Sequence, residues 1–344
     1  MGEQLRVGIV GTGAMGQTHA QAWSQTQANL CGIVSKSRES AVVLAQQYGA
    51  NIYPSLEAML LEIDVLDICT PTHLHRDMAL AAAAAQVHVV CEKPLARSVA
   101  QAEEMIAACG AAGVKLLVAH VVRFFPEYAL VQQKVAAGEI GDPAVIRLKR
   151  GSSQPTGTGN WFADQEKSGG IMLDLMIHDF DYARWIGGEV KTVFAKSIKN
   201  ENPKAEVDHA LVILTHESGI ISHIEGSWAY PAPLFRTQIE VAGSNGLIQH
   251  DSDKTAATGV FFHQRSDVIA GVPIPSSPLH EDPYTTQIKA FYQHIQSNDT
   301  IRVSAVDGLE ALKIGLAAIE SAQTGLPIQL NKMQENVQEG KVTP

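Results

Sequence analysis

The stretch Leu5 to Val10 alternates, is rich in Val and Ile, and runs without a break into Gly11-Thr12-Gly13-Ala14-Met15-Gly16 and a helix-forming segment, Gln17 to Gln25. A strand, a glycine-rich turn and a helix in that order are the context in which G-x-G-x-x-G means dinucleotide binding. Gly11 makes the tight turn, Gly13 lets the backbone approach a pyrophosphate, and Gly16 lets helix pack on strand. Backbone amides of Ala14, Met15 and Gly16 then face the negative charge at the helix N-terminus.

Strand and helix go on alternating. The sequence predicts a helix over 38–48, a short strand over 51–53, a helix over 55–61 and a buried strand over 65–69. It then predicts a helix over 75–85, a strand over 87–91, a helix over 99–112 and a strand over 115–119. Such alternation predicts an α/β Rossmann domain, a doubly wound parallel sheet covered on both faces, over residues 1–122. Its ligand is expected at the carboxyl ends of the strands, where the chain places Thr70, Pro71, His75, Glu92, Lys93, His120 and Arg123. His73 and His75 form a His-x-His pair but lack a third ligand nearby in sequence, so no metal is expected and a capping or cofactor-lining role is.

A carboxylate at the end of the second strand, 29–34, would accept hydrogen bonds from the ribose hydroxyls of NAD. None is present: the segment from Gln17 to Arg38 holds no Asp or Glu, and the strand ends in Ser35-Lys36-Ser37-Arg38. Hydroxyls and cations there suit the extra phosphate of NADP, the expected cofactor, with NAD as the alternative.

Lys93 precedes Pro94, which holds it extended and fixes its direction. A lysine at a strand end beside a cofactor can stabilise the oxygen charge that develops when hydride leaves an alcohol. The competing reading is a loop pair with Glu92. Further on, Gly169 to Trp185 reads as one helix with an apolar stripe of Leu173, Met176, Ile177, Phe180 and Ala183. Asp174, His178 and Asp181 share another face at i, i+4 and i+7, setting a carboxylate beside an imidazole, as a proton-transferring histidine requires. The bland alternative is a solvated His178 and a surface pair between Asp181 and Arg184.

After a helix over 127–137, strands follow one another at 145–150, 192–197, 209–215, 219–227, 237–242 and 247–250, with hairpin turns at Glu217-Ser218-Gly219 and Ser244-Asn245-Gly246. This predicts an α+β C-terminal domain over 123–330 with an open, mainly antiparallel sheet. A long apolar helix over 307–324 is expected to pack back on the first domain. Residues 331–344 form a polar tail, expected to be disordered. The loops over 151–161 and 269–283 are rich in Gly, Pro and Ser and are candidates to close over a ligand. An exposed sheet of this size needs covering, which predicts a homodimer or homotetramer through its free face.

The formal charge of -10 argues against nucleic acid as a partner. No apolar run approaches the roughly 18 residues of a membrane span. The start of the chain lacks a signal-peptide pattern, and Arg6 stands where a myristoylation signal would need Ser or Thr. Cys31, Cys69, Cys91 and Cys109 have neither disulfide-framework nor metal-ligand spacing, which suits reduced core thiols in a cytoplasmic protein.

Taken together, Gly11 to Gly16, Asp67-Ile68-Cys69-Thr70-Pro71, Cys91-Glu92-Lys93-Pro94-Leu95, Arg123 to Pro126 and Gly169 to Trp185 resemble the Gfo/Idh/MocA oxidoreductases, over about residues 5–330. The resemblance implies a Rossmann domain joined to an open-sheet domain, with Lys93, Asp174 and His178 as the catalytic group. It further implies substrate contacts from Lys93, Asp181, the Asn160-Trp161 loop and Tyr284. Two departures stand out. Thr72 replaces the Asn often found two residues past the strand-end threonine, and the missing ribose acid resembles the NADP-using branch rather than NAD-using inositol dehydrogenases.

The expected activity is an NAD(P)-dependent oxidoreductase, preferring NADP, that moves hydride between the nicotinamide and a secondary alcohol or ketone of a cyclic polyol or sugar. The alternatives are a dinucleotide-binding sensor without turnover and a glycosidase that works through a bound cofactor.

Overall fold

The computed structural model describes residues 4–157, 161–162, 164–199, 208–253 and 281–330. The chain divides into two compact units, the first built from residues 1–125, 163–168 and 276–309, the second from 126–162, 169–275 and 310–344.

In the first unit β1 (Arg6–Val10) leads to α1 (Ala14–Trp23), then β2 (Asn29–Val34), α2 (Arg38–Tyr48), β3 (Asn51–Ile52) and α3 (Leu56–Leu60). There follow β4 (Val65–Ile68), α4 (His75–Ala84), β5 (His88–Glu92), α5 (Val99–Ala112) and β6 (Leu116–Ala119). All pairings are parallel, in the order β3-β2-β1-β4-β5-β6. The order runs outward both ways from β1 and β4, so a crevice opens at their carboxyl ends, where the chain reverses direction across the sheet. Helix entry is decided locally: Ser37, Ser55 and Ser98 each accept a hydrogen bond from the backbone N–H three residues on, capping α2, α3 and α5. Gly49 and Gly113 end α2 and α5 in the left-handed region.

The second unit opens with α6 (Pro126–Ala136) and β7 (Pro143–Ser152). Beyond α7 (Gln165–Ser168), which belongs to the first unit, come α8 (Gly170–Asp174), α9 (Ile177–Gly187), β8 (Val190–Lys199), β9 (Asp208–His216), β10 (Ile221–Ser227), β11 (Phe235–Gly243) and β12 (Gly246–Asp251). Its sheet runs β12-β11-β7-β10-β9-β8-β13, closed at one edge by β13 (Ile328–Gln329). Every pairing is antiparallel except β10 on β7. Side chains alternate as a one-faced sheet demands: Ile146, Leu148, Val212, Leu214, Ile224, Ile239 and Val241 are buried, while Arg147, Leu211, Ile221, His223 and Gln238 on the same strands are exposed.

α10 (Pro283–Ser297) was not anticipated and belongs to the first unit. Asp282 caps it, Pro283 starts it, and Ile288 and Phe291 join the core beside Trp23, with Phe124 edge-on to Phe291. α11 (Ala305–Thr324) opens in the first unit, where Asp307 pairs with Arg123 and Gly308 lies against Val118. From Glu310 onward it belongs to the second unit: Gly315 accommodates Leu173, and Ser321 accepts a hydrogen bond from the Ala195 backbone. The expected tail at 331–344, much of the 269–283 loop and part of the 151–161 loop lie outside the described residues.

Candidate functional site

The glycine turn has the geometry a dinucleotide needs. Gly11 sits at φ +98, and a Cβ there would meet the Cys69 carbonyl oxygen at 2.4 Å. A Cβ on Gly16 would stand 2.0 Å from the Gly11 carbonyl oxygen, so α1 lies directly on the turn. Gly13 is the opposite case: no atom lies within 4 Å of the position its Cβ would take. Gly13 also N-caps α1 with no side-chain hydrogen bond. The first-turn amides thus face an open approach with no side-chain cap, which fits an anionic pyrophosphate.

At the end of β2 the Thr12 hydroxyl lies 2.6 Å from the hydroxyls of both Ser35 and Ser40. Lys36 and Arg38 are exposed beside this cluster, and the nearest following acid, Glu39, falls within the first turn of α2. Burial, then the charges of Lys167 and Lys36, hold the His73 imidazole below its usual range. Arg97 adds a further cation, tied to the backbone carbonyls of Glu166 and Gln165.

The other strand ends are more self-contained than expected. His75 is fully buried, with its two ring nitrogens 3.0 and 2.9 Å from the carbonyl oxygens of Pro94 and Thr70, so it ties two loops together. Burial, opposed by these carbonyls, holds its pKa below the usual value. Arg123 is also buried, donating to the Arg302 carbonyl at 2.8 Å and pairing with Asp307 at 3.2 Å. Glu92 is buried and accepts the Lys93 backbone N–H at 3.1 Å, while Lys93 itself is half-buried at the start of a cis Lys93–Pro94 peptide. Thr70 and Pro71 are half-buried at the end of β4. Tyr284 is buried in the first turn of α10, in the same unit.

Asp174, His178 and Asp181 lie in the second unit, but not on one helix. The expected continuous helix is broken at Leu175 and Met176: Asp174 ends α8 and His178 enters the first turn of α9. Packing accounts for the break. Met176, fully buried, fills a niche above β10 where a Cβ on Gly226 would lie 2.3 Å from its Cγ, and the backbone turns to seat it. Asp174 and His178 remain half-buried on either side of this junction, while Leu173, Leu175, Met176 and Ile177 are buried. Asp181 is fully buried, and Arg184 pairs with Glu189 at 2.5 Å, which corrects the surface-pair alternative. Trp161 is half-buried and stacks at a tilt on Phe162, with ring centroids 4.0 Å apart; Asn160 lies outside the described residues.

Sequence reasoning missed two buried charged sets. Arg150 on β7 grips Asp179, the neighbour of His178, and reaches Tyr128; the only sequence signal was an arginine in an otherwise inward-facing strand position. His19, Asp67 and Cys69 place ligand-type atoms within 4.8 Å of one another. Those atoms hydrogen-bond among themselves, and the Trp23 indole also donates to Asp67 at 2.7 Å, so hydrogen bonding accounts for the cluster.

Known proteins bear on the same residues. Residues 5–120 match an oxidoreductase family with an NAD-binding Rossmann fold, and residues 128–249 match the Gfo/Idh/MocA C-terminal domain. The uncharacterised oxidoreductase YrbE of Bacillus subtilis is 30% identical, covering 97% of this chain and 99% of its own length. A myo-inositol 2-dehydrogenase of Thermotoga maritima is 30% identical over 96% of this chain and 99% of its own. The crystal structure of a probable dehydrogenase from Thermotoga maritima superimposes with a TM-score of 0.81 at 29% identity, covering 95% of this chain and 99% of that one. With an open glycine cradle at one sheet, a one-faced second sheet beneath the His178 helix, and these matches across nearly its whole length, the chain belongs to the Gfo/Idh/MocA family of oxidoreductases.

Proposed function

We propose that the protein is an NADP-preferring member of this NAD(P)-dependent dehydrogenase family, acting on a secondary alcohol or ketone of a cyclic polyol or sugar. The observation that carries the cofactor preference is the carboxylate-free end of β2, where the hydroxyls of Thr12, Ser35 and Ser40 cluster beside exposed Lys36 and Arg38. A 2′-phosphate there gains charge-assisted hydrogen bonds, and no acid from Gln17 to Arg38 repels it. Gly11, Gly13 and Gly16, with the amides of Ala14 and Met15, would hold the pyrophosphate.

When bound, the nicotinamide supplies the hydride acceptor or donor. Lys93 donates a hydrogen bond to the substrate oxygen and stabilises the charge that develops on it. His178, steadied by Asp174, takes the hydroxyl proton in oxidation and returns it in reduction. Asp181, Asn160, Trp161 and Tyr284 are the proposed substrate contacts. Support for a polyol or sugar comes from the relatives: the Thermotoga maritima protein is a myo-inositol 2-dehydrogenase, although the missing ribose acid argues against carrying over that substrate unchanged.

The outward sheet face carries exposed Ile198, Leu211, Ile221 and Leu247 among the ion pairs Arg147 to Glu240 and Lys149 to Glu225. Apolar residues framed by self-paired charges suit a second copy of the chain, in a homodimer or homotetramer. No described helix is long and apolar enough to cross a membrane. The free thiols Cys31, Cys69, Cys91 and Cys109 support a cytoplasmic location.

The test follows nicotinamide absorbance with NADP and NAD in parallel over inositols, aldoses and anhydrosugars, for the wild type and Lys93→Ala. Faster turnover with NADP, lost at least ~100-fold in the variant, is expected. Faster turnover with NAD overturns the cofactor preference. Tight cofactor binding with no turnover across the panel would replace this reading with the sensor, and hydrolysis of a glycoside with a retained cofactor would replace it with the glycosidase.

A further inference from the structure

Strand parity sets two carboxylates into an apolar layer. Ile9 pairs with Asp67 and Asp67 with Val90, so Asp67 and Glu92, two residues beyond Val90, point from the same face of the first sheet. α1 covers that face, with His19 and Trp23 one turn apart and both fully buried. Around them lie Ile9, Val65, Cys69, Val90 and Leu117.

The contacts run in a line. The Trp23 indole donates to Asp67 Oδ2 at 2.7 Å, and His19 Nδ1 lies 2.9 Å from the same oxygen and 3.0 Å from Oδ1. His19 Nε2 stands 3.0 Å from Glu92 Oε1. The other oxygen of that carboxylate, Oε2, accepts the backbone N–H of Lys93 at 3.1 Å. Burial works against the charge of His19, yet the Asp67 carboxylate and the Cys69 sulfur together raise the imidazole well above its usual range. Burial likewise pushes Glu92 up, and the His19 ring, close enough to pair with its carboxylate, brings it below the ordinary carboxylate value. A buried ionic triad is a weak way to gain stability, since an apolar set of similar volume usually does as well. Its geometry suits a different task.

We propose that His19 and Asp67 are positioning residues for the catalytic lysine: the Asp67-held imidazolium orients Glu92, and Glu92 fixes the Lys93 backbone N–H, so the lysine's direction is set from inside the sheet. The inference rests on reading Lys93 as the group that meets the substrate oxygen. Glu92 then acts through Lys93 rather than through the cofactor.

The experiment compares wild type, His19→Gln, Glu92→Gln and the double variant. Cofactor Kd is read by fluorescence titration, kcat by nicotinamide absorbance, and Lys93 itself by the ¹³C signal of reductively methylated lysines, assigned through its loss in Lys93→Ala. Each single variant is expected to lower kcat about 10- to 100-fold, the cost of loosening a reacting group by about 1 Å. Cofactor Kd is expected to change less than about threefold, since only the reacting group is displaced. The double variant is expected to lose no more than the worse single one, because both act through one path. The Lys93 signal is expected to move toward that of exposed lysines in both single variants. Unchanged kcat in folded variants, losses that multiply in the double variant, or an unmoved Lys93 signal would each overturn the relay. Should His19→Gln not fold, Glu92→Gln, which leaves the His19 to Asp67 pair intact, carries the test. A wild type without turnover on any substrate sinks the dehydrogenase role of Lys93, and the Lys93 signal still decides whether the relay positions it.

Discussion

Arg150 on β7 holds Asp179 on α9 through two hydrogen bonds of 2.7 and 2.9 Å, with both side chains almost wholly buried. The pair pins the first turn of α9 to the sheet at the residue next to His178. Tyr182, one turn on, donates to the Tyr128 carbonyl at 2.9 Å and packs edge-on against the Tyr128 ring, so α9 is anchored twice on the same side.

Replacing Arg150 by Met leaves the Asp179 carboxylate buried without its partner, a change that costs about 3–5 kcal/mol. Urea denaturation followed by circular dichroism should show a loss of that size, and Arg150→Met/Asp179→Leu should regain most of it. A cost below about 1 kcal/mol would mean that the pair does not anchor the helix.

Gly13 and Gly16 should separate binding from folding. Gly13 has ordinary helix-entry geometry and open space around it, so Gly13→Ala is expected to change stability by less than about 1 kcal/mol. Its methyl would stand in the pyrophosphate approach, so cofactor Kd should rise at least ~10-fold, the equivalent of about 1.4 kcal/mol. Gly16→Ala forces a Cβ onto the Gly11 carbonyl and should lower the melting temperature before any cofactor is added. Thermal melts of the apo proteins and cofactor titrations distinguish the two.

His19 should impose a pH dependence on stability. Its folded pKa is raised well above the unfolded value, so the folded state keeps a proton that the unfolded chain releases. The stabilisation is complete below about pH 6.5 and declines as pH climbs toward the folded pKa, by up to about 1.4 kcal/mol per pH unit. Urea midpoints of the wild type should fall between pH 6 and 9. In Glu92→Gln the fall should be shallower, because a carboxylate 3.0 Å from the imidazole is gone. Equal slopes in the two proteins would refute the coupling.

Lys36→Ala and Arg38→Ala should raise KM for NADP and leave KM for NAD nearly unchanged. A charge-assisted hydrogen bond contributes about 1.5–3 kcal/mol, so the ratio of kcat/KM for NADP over NAD should drop roughly 10- to 100-fold per cation that reaches the phosphate. Initial-rate kinetics with both cofactors measure the ratio. A drop that is equal for NADP and NAD would show that these cations act only on the general field.

The first unit was legible because its central strands are buried on both faces. Val65-Leu66 and Val89-Val90-Cys91 read as continuous apolar runs, and serines at 37, 55 and 98 mark helix entries within four residues of the bonds they make. The α10 helix carried its own signal, Asp282-Pro283 followed by Tyr284, Ile288 and Phe291 at helical spacing, although it lies far along the chain from the unit it joins. The break between α8 and α9 had no such signal. There Met176 seats against Gly226, a residue of β10 some fifty positions along the chain, where any side chain would fill its niche.

By itself the sequence determined the two kinds of sheet, the glycine cradle and the candidate groups Lys93, Asp174 and His178, since periods of two and 3.6 and turn chemistry depend on neighbours a few residues apart. Only the tertiary structure decided that His19 meets Asp67 across 48 residues and Glu92 beyond it, and that Arg150 closes on Asp179. Those meetings depend on strand order and register, which bring distant side chains onto one face. In the low dielectric of the core, a charge so placed must find its partner or lose its proton balance.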